Sequence, residues 1–138
     1  MLAVNRRSKI INHILIVVNL FQNESWIVNA PNNLQFKARF GTQKPDDDFI
    51  INAYRNLMIS IKQNNPKATI ICALGNMDAA KKVSKWPNLI KLATTQLKDE
   101  KVYNLVLPFK NNGRHPEIVN QAAMAKQLIV FIEEHVKW

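Results

Sequence analysis

The chain has one cysteine, Cys72, in 138 residues, so no disulfide can form within it and cysteine usage fixes no redox compartment. Cys72 lies in the apolar run from Ala68 to Leu74, where a thiol behaves as a small core hydrophobe. Metal ligands are sparse too. His13, His115 and His135 are not grouped with cysteines or carboxylates at the spacing of a metal site, so neither a metal nor another cofactor is expected. Long apolar runs are missing as well. Near the start the longest is Ile14 to Val18, too short to span a bilayer, and no membrane association is expected. The opening residues carry charge but no small-residue cleavage site, so they do not read as a signal peptide and the compartment stays undetermined. Acids are the minority charge, 10 against 19 Lys and Arg, which leaves a net +9. Such an excess suits a nucleic-acid or anionic surface. The lysines are scattered, however, with only Lys81, Lys82 and Lys85 clustered. No aromatics interleave with them as a stacking platform requires, so no nucleic-acid partner is expected. Internal repeats and low-complexity segments are lacking.

What is present fits one domain over residues 1–138, with 1–12 as an irregular N-terminal segment and 47% hydrophobic residues to form a core. His13 to Leu20 is almost continuously apolar and rich in Ile and Val, which predicts a strand buried on both faces of a parallel sheet. Residues 21–45, with Asn- and Pro-containing stretches, read as a long irregular loop. Asp46, Asp47 and Asp48 then introduce an apolar stripe at helical spacing, predicting a helix over 46–63. A second buried strand follows over Thr69–Leu74 and stops at Gly75. After it come a helix from Pro87 to about Lys98, a strand over Tyr103–Leu107 and a long helix opening at Pro116. This alternation implies an α/β domain with a parallel sheet between helical layers, a three-layer α/β/α arrangement. Three parallel strands leave an exposed edge, and the first is apolar enough to expect a neighbour on each side. The domain therefore reads as incomplete at its N-terminus.

Ligands of open α/β sheets bind beyond the carboxyl ends of the strands, so the loops after Leu20, Leu74 and Leu107 carry the candidates. The first is Phe21-Gln-Asn-Glu-Ser-Trp26, the second Gly75-Asn-Met-Asp78, and the third runs from Pro108 to Pro116. His115 stands just before a proline-initiated helix, where an imidazole can activate a hydroxyl or simply be a solvated cap.

Asn112-Gly-Arg-His-Pro116 before an amphipathic final helix resembles the last block of the SGNH, or GDSL-like, hydrolases, where Asp-x-x-His supplies the base of the triad. Val17-Val-Asn-Leu-Phe-Gln-Asn-Glu24 resembles that family's Gly-x-Asn-Asp block. Between them, Ala53-Tyr-Arg55 and the strand end Ile70-Ile-Cys-Ala-Leu-Gly75 resemble acetyl-esterase members acting on carbohydrate. The resemblance covers the chain from about His13 onward. It implies a flavodoxin-like sheet, a serine esterase acting on carbohydrate acetyl esters, His115 as base and Asn23 as oxyanion donor. Asn112 falls at the position of the triad acid, and Gln22, Trp26 and Met77 are candidate substrate contacts. Trp86 and Trp138 are further aromatics able to stack on a sugar, and Asp78 lies beside Met77.

Three residues depart from the family pattern. Phe21 stands where glycine is usual, and Glu24 replaces Asp while keeping the acid. Asn112 replaces the triad aspartate, which implies either a Ser–His dyad oriented by a backbone carbonyl or reduced activity. The larger departure is the nucleophile, because no strand–Gly-Asp-Ser–helix block precedes His13. Ser8 follows no strand, Ser60 falls mid-helix and Ser84 lies in a Lys-rich connection. Ser25 follows a strand but stands only 115 − 25 = 90 residues before the histidine, with no oxyanion asparagine after it. The implied protein is a portion of an esterase, inactive alone, whose partner is a missing N-terminal half or a further copy. The alternative is a non-catalytic α/β module binding carbohydrate or protein, or one half of a two-chain esterase.

Overall fold

The computed structural model describes residues 13–137; the irregular segment 1–12, Ser8 and Trp138 lie outside the described residues. Three parallel strands, β1 (Leu15–Asn19), β2 (Thr69–Leu74) and β3 (Val102–Val106), lie in the order β1-β2-β3. Their register pairs Val17 with Ile71 and Ile71 with Tyr103. Around them are α1 (Gln22–Ile27), α2 (Leu34–Phe40), α3 (Asp47–Asn64), α4 (Trp86–Thr95) and α5 (Ile118–His135). The expected three-layer α/β/α architecture is the one observed.

β2 is the buried centre. Ile70, Cys72 and Leu74 point into the main core with Tyr54 and Met58 of α3 and Leu89, Ile90 and Ala93 of α4. Ile71 and Ala73, also buried, point to the opposite face. There Tyr103 of β3 meets Phe131 and His135 of α5, at ring-centroid distances of 6.2 and 6.3 Å. Cys72 is a core residue, with Sγ 3.4 Å from Met58 Sδ. Burial pushes its thiol pKa up, which keeps it protonated and unsuited to nucleophilic work.

Caps explain the helix boundaries. Asp46 Oδ1 accepts the Phe49 N–H at 2.7 Å and starts α3 within one residue of the predicted position. α4 begins at Trp86 and ends at Thr95, short of the predicted Lys98, because Lys98 turns left-handed with φ 51°. α5 starts two residues after Pro116, where the Glu117 N–H donates to Asn120 Oδ1 at 3.0 Å.

Two expectations are corrected. The segment 21–45 is not irregular: it forms α1 and α2, capped by Glu24 and Asn33 side chains and anchored by buried Ile27 and Phe36. Helices of six and seven residues are too short to show a helical period. Nor is β1 buried on both faces. Val17 is 41% exposed, since α5 leaves the outer face of β1 uncovered. Among the described residues no helix is long and apolar enough to cross a membrane.

The turn into β3 is pinned by charge. Lys62 Nζ reaches Asp99 Oδ2 at 2.9 Å and the Ala68 carbonyl at 2.9 Å, and the Lys101 N–H donates to Asp99 Oδ1 at 2.8 Å. Burial alone would raise the Asp99 pKa, but these hydrogen bonds and charges outweigh it and hold the carboxyl below its ordinary 3.8. A depressed carboxyl adds stability that is complete above the ordinary value and disappears as pH falls through the folded one. Asp99→Asn should therefore cost about 1 kcal/mol at neutral pH. Urea melts of the two proteins should converge as pH is lowered below the ordinary carboxyl range.

Candidate active-site cleft

The carboxyl ends of the three strands are tied together before any chemistry is placed on them. Asn19 Oδ1, at the end of β1, accepts the Gly75 N–H after β2 at 3.0 Å. The Asn76 carbonyl accepts the Lys110 N–H after β3 at 3.0 Å. Gly75 has no side chain to spare: a Cβ there would lie 3.1 Å from Gln22 Nε2. Glycine thus lets the Gln22 amide fold over the junction of β1 and β2. Gln22 Nε2 and Asn76 Oδ1 are both buried with no hydrogen-bond partner among the described residues.

The chain leaves β1 through a strained turn. Phe21 has φ 74°, a left-handed conformation that costs a non-glycine residue roughly 1–2 kcal/mol. Its N–H donates to Glu24 Oε2 at 3.0 Å, so the acid at position 24 serves as the cap of α1. Its ring is buried against Tyr54 and Trp86, with centroids 5.0 and 4.7 Å away. Packing holds the turn that glycine would adopt freely. The turn sets Asn23 and Trp26 on the exposed side of α1, with Trp26 62% exposed.

These loops surround an open cleft of about 740 Å3. Gln22, Asn23, Trp26, Met77 and His115 all line it, so five of the six candidate site residues meet in one place. Asn112, the sixth, does not line it. Its Oδ1 accepts from Lys110 Nζ and from the Arg114 N–H, the latter at 3.2 Å, and so shapes the loop that delivers His115. Lys110 Nζ also donates to the Arg114 carbonyl. Asn111 and Gly113 take positive φ in the same loop, 44° and 65°. His115 itself is exposed on the cleft wall.

Ser25 lines the cleft too, but its hydroxyl donates to the Gln22 carbonyl at 2.8 Å, the local bond of a helical serine. Trp86 is 5% exposed, forming a wall of the core more than a stacking platform. Lys81 and Lys85 also border the cleft, and sequence reasoning did not single them out as site residues. Lys81 pairs with Asp78 at 3.0 Å and lies over the Phe109 ring at 5.3 Å; Lys85 pairs with Asp47. Their only sequence signal is the small lysine cluster. Among the described residues no three His, Cys, Asp or Glu side chains group as metal ligands.

No family model and no curated protein sequence matches this chain. Solved structures do. An acetyl xylan esterase from the rumen bacterium Butyrivibrio proteoclasticus is 23% identical with a TM-score of 0.68, matched over 87% of this chain and 36% of its own. A family two carbohydrate esterase from Clostridium thermocellum, in complex with cellohexaose, is 24% identical with a TM-score of 0.60 over 87% of this chain and 35% of its own. An active-site mutant of a family two carbohydrate esterase from the same organism gives 24% and 0.60 over 90% and 36%. The chain thus has the fold of these esterases and spans about a third of their length.

The tie between β1 and β2 is directly testable. Asn19→Ala leaves the Gly75 N–H without its acceptor and should destabilise the protein by about 1–3 kcal/mol, read as a lower urea midpoint with an unchanged m-value.

Proposed function

We propose that this chain is the histidine-bearing portion of an SGNH-type serine esterase that removes acetyl groups from carbohydrate. The observation that carries the reading is the convergence of Asn23 and His115, separate in sequence, on one cleft at the carboxyl ends of the strands. In this reading the nucleophilic serine comes from a strand–Gly-Asp-Ser–helix unit outside these 138 residues. His115 accepts the serine proton as Oγ attacks the acetyl carbon, and the Asn23 carboxamide N–H donates to the oxyanion that forms. Collapse of the tetrahedral intermediate expels the sugar oxygen, which takes the proton back from His115. A water molecule, deprotonated by the same imidazole, then attacks the acyl-serine, and acetate leaves as His115 returns the proton to the serine Oγ.

Asn112 has no charge with which to stabilise imidazolium, and its oxygen is occupied within the loop. This supports a Ser–His dyad in place of a triad. Trp26, exposed beside Asn23, provides a flat face for a sugar ring, with Gln22 and Met77 alongside. The cellohexaose bound by the structural neighbour supports a carbohydrate ligand here as well. The local bond of Ser25 supports inactivity of the chain alone. The same exposed Trp26 favours a second reading, a carbohydrate-binding module without catalysis.

Two measurements separate these readings. Joined behind a Gly-Asp-Ser strand–helix unit, the chain should hydrolyse p-nitrophenyl acetate. His115→Ala should then lower kcat/KM about 10^4-fold or more, and Asn23→Ala about 10^2- to 10^3-fold. Cellohexaose should quench tryptophan fluorescence of the chain alone, and Trp26→Ala should abolish the change. Retained quenching with no dependence of hydrolysis on His115 would replace the esterase with the binding module.

A further inference from the structure

Charge around the cleft is lopsided. Besides His115, the ionisable residues that line it are the cations Lys81 and Lys85 and the carboxylate Asp78, and Asn29, also on the wall, accepts from Lys44 Nζ. Lys82, between the two lining lysines, adds a further exposed ammonium.

The fold brings these lysines to the cleft by a short route. The 3-10 turn Asp78–Ala80 after β2 packs against α1, the helix that carries Asn23 and Trp26, and the lysine-bearing stretch 81–85 leaves from that turn. Lys81 is steered further by the Phe109 ring, whose centroid lies 5.3 Å from its Nζ, in the loop after β3 that also carries His115. Cations, the exposed Trp26 ring and the His115 imidazole therefore stand around one cavity.

Neither lysine is committed to its present partner. Lys81 reaches Asp78 at 3.0 Å and Lys85 reaches Asp47, but the side chains of both pairs stay between 42% and 74% exposed. Pairs this exposed contribute little, because water screens them and two flexible side chains must be held in place. An anion entering the cleft can take either ammonium from its aspartate at small cost. Lysine suits such an exchange, being a point charge on a flexible stem.

The aromatic surface decides which kind of anion fits. A nucleic-acid strand needs successive aromatic faces for successive bases, whereas here Trp26 is 62% exposed and Trp86 only 5%. The cleft presents one ring face beside its cations. That pairing matches a sugar ring bearing an acidic substituent.

We infer that the cleft selects acidic carbohydrate: Lys81 and Lys85 hold a carboxylate or sulfate group on a sugar whose ring stacks on Trp26. This rests on the carbohydrate reading above and names the class of sugar, independently of where a serine comes from.

The test is calorimetric titration of the chain at low salt with cellohexaose and with the same hexamer carrying carboxylates, or sulfate esters, at C6. The expected result is a Kd at least about 10-fold lower for an acidic hexamer than for cellohexaose, from two charge contacts each giving a few-fold. The tighter of the two acidic hexamers identifies the group as carboxylate or sulfate. The preference should shrink several-fold in about 1 M salt, where the screening length is about 3 Å. Lys81→Gln with Lys85→Gln should remove it, and Lys81→Arg with Lys85→Arg should keep it. Lys91→Gln with Lys126→Gln removes the same charge from exposed helix positions outside the cleft and should leave the ratio of the two Kd values unaltered. Equal affinity for neutral and acidic hexamers, a preference that survives the Lys81 and Lys85 glutamines, or equally tight binding of a single-stranded hexanucleotide would overturn it. Binding of cellohexaose without any acidic preference overturns the acidic class and leaves the carbohydrate reading standing, whereas binding of none of the hexamers removes both. A lysine-dependent preference without hydrolysis by the serine-bearing hybrid keeps the acidic class and removes the esterase.

Discussion

The parallel ladder through β2 is the constraint from which the rest of the molecule follows. Because β2 pairs on both sides and is buried on both faces, it fixes the heights at which β1 and β3 end. The loops that leave those ends are then locked to one another, the Gly75 N–H on the Asn19 side-chain oxygen and the Asn76 carbonyl on the Lys110 N–H. Asn23 and His115 share a cleft because three strand ends are level and tied, not because their side chains attract each other. The cleft is a product of these ties, one to the Asn19 side chain and one between backbone groups, and its lining side chains are mounted on them.

Local strain and local compensation are paired at the exit from β1. Phe21 holds a conformation glycine would take without cost, and offsets it by burying an aromatic ring between Tyr54 and Trp86 while Glu24 accepts its N–H. The turn is thus held by packing and not by a residue free to adopt its conformation. The Asn112 loop behaves differently. There the carboxamide is used to shape the loop through Lys110 and Arg114.

How much of this was legible in the sequence depended on the length of each signal. α3 carries five turns of stripe and an acidic cap, and its bounds were read to within a residue. α1 and α2 carry two turns or fewer, buried through Ile27 and Phe36 alone, and resembled a loop. β1 was read as a strand but its burial was not, because an apolar run looks the same whether or not its outer face is covered in the chain itself. In the cleft, His115 and Asn23 were legible through spaced motifs. Lys81 and Lys85 were not, since their placement comes from the turn after β2 and leaves no periodic trace. The use of Asn112 is tertiary and could not be read from its position in a motif.

We propose that the cleft holds a base and an oxyanion donor whose nucleophile comes from elsewhere. This proposal is tested most directly by the pre-steady-state release of p-nitrophenol from p-nitrophenyl acetate by the purified chain, beside Ser25→Ala and His115→Ala. The account predicts no stoichiometric burst in any of the three. A burst in the unaltered chain that disappears in both variants would contradict it, because Ser25 would then be the nucleophile and the chain an esterase in its own right.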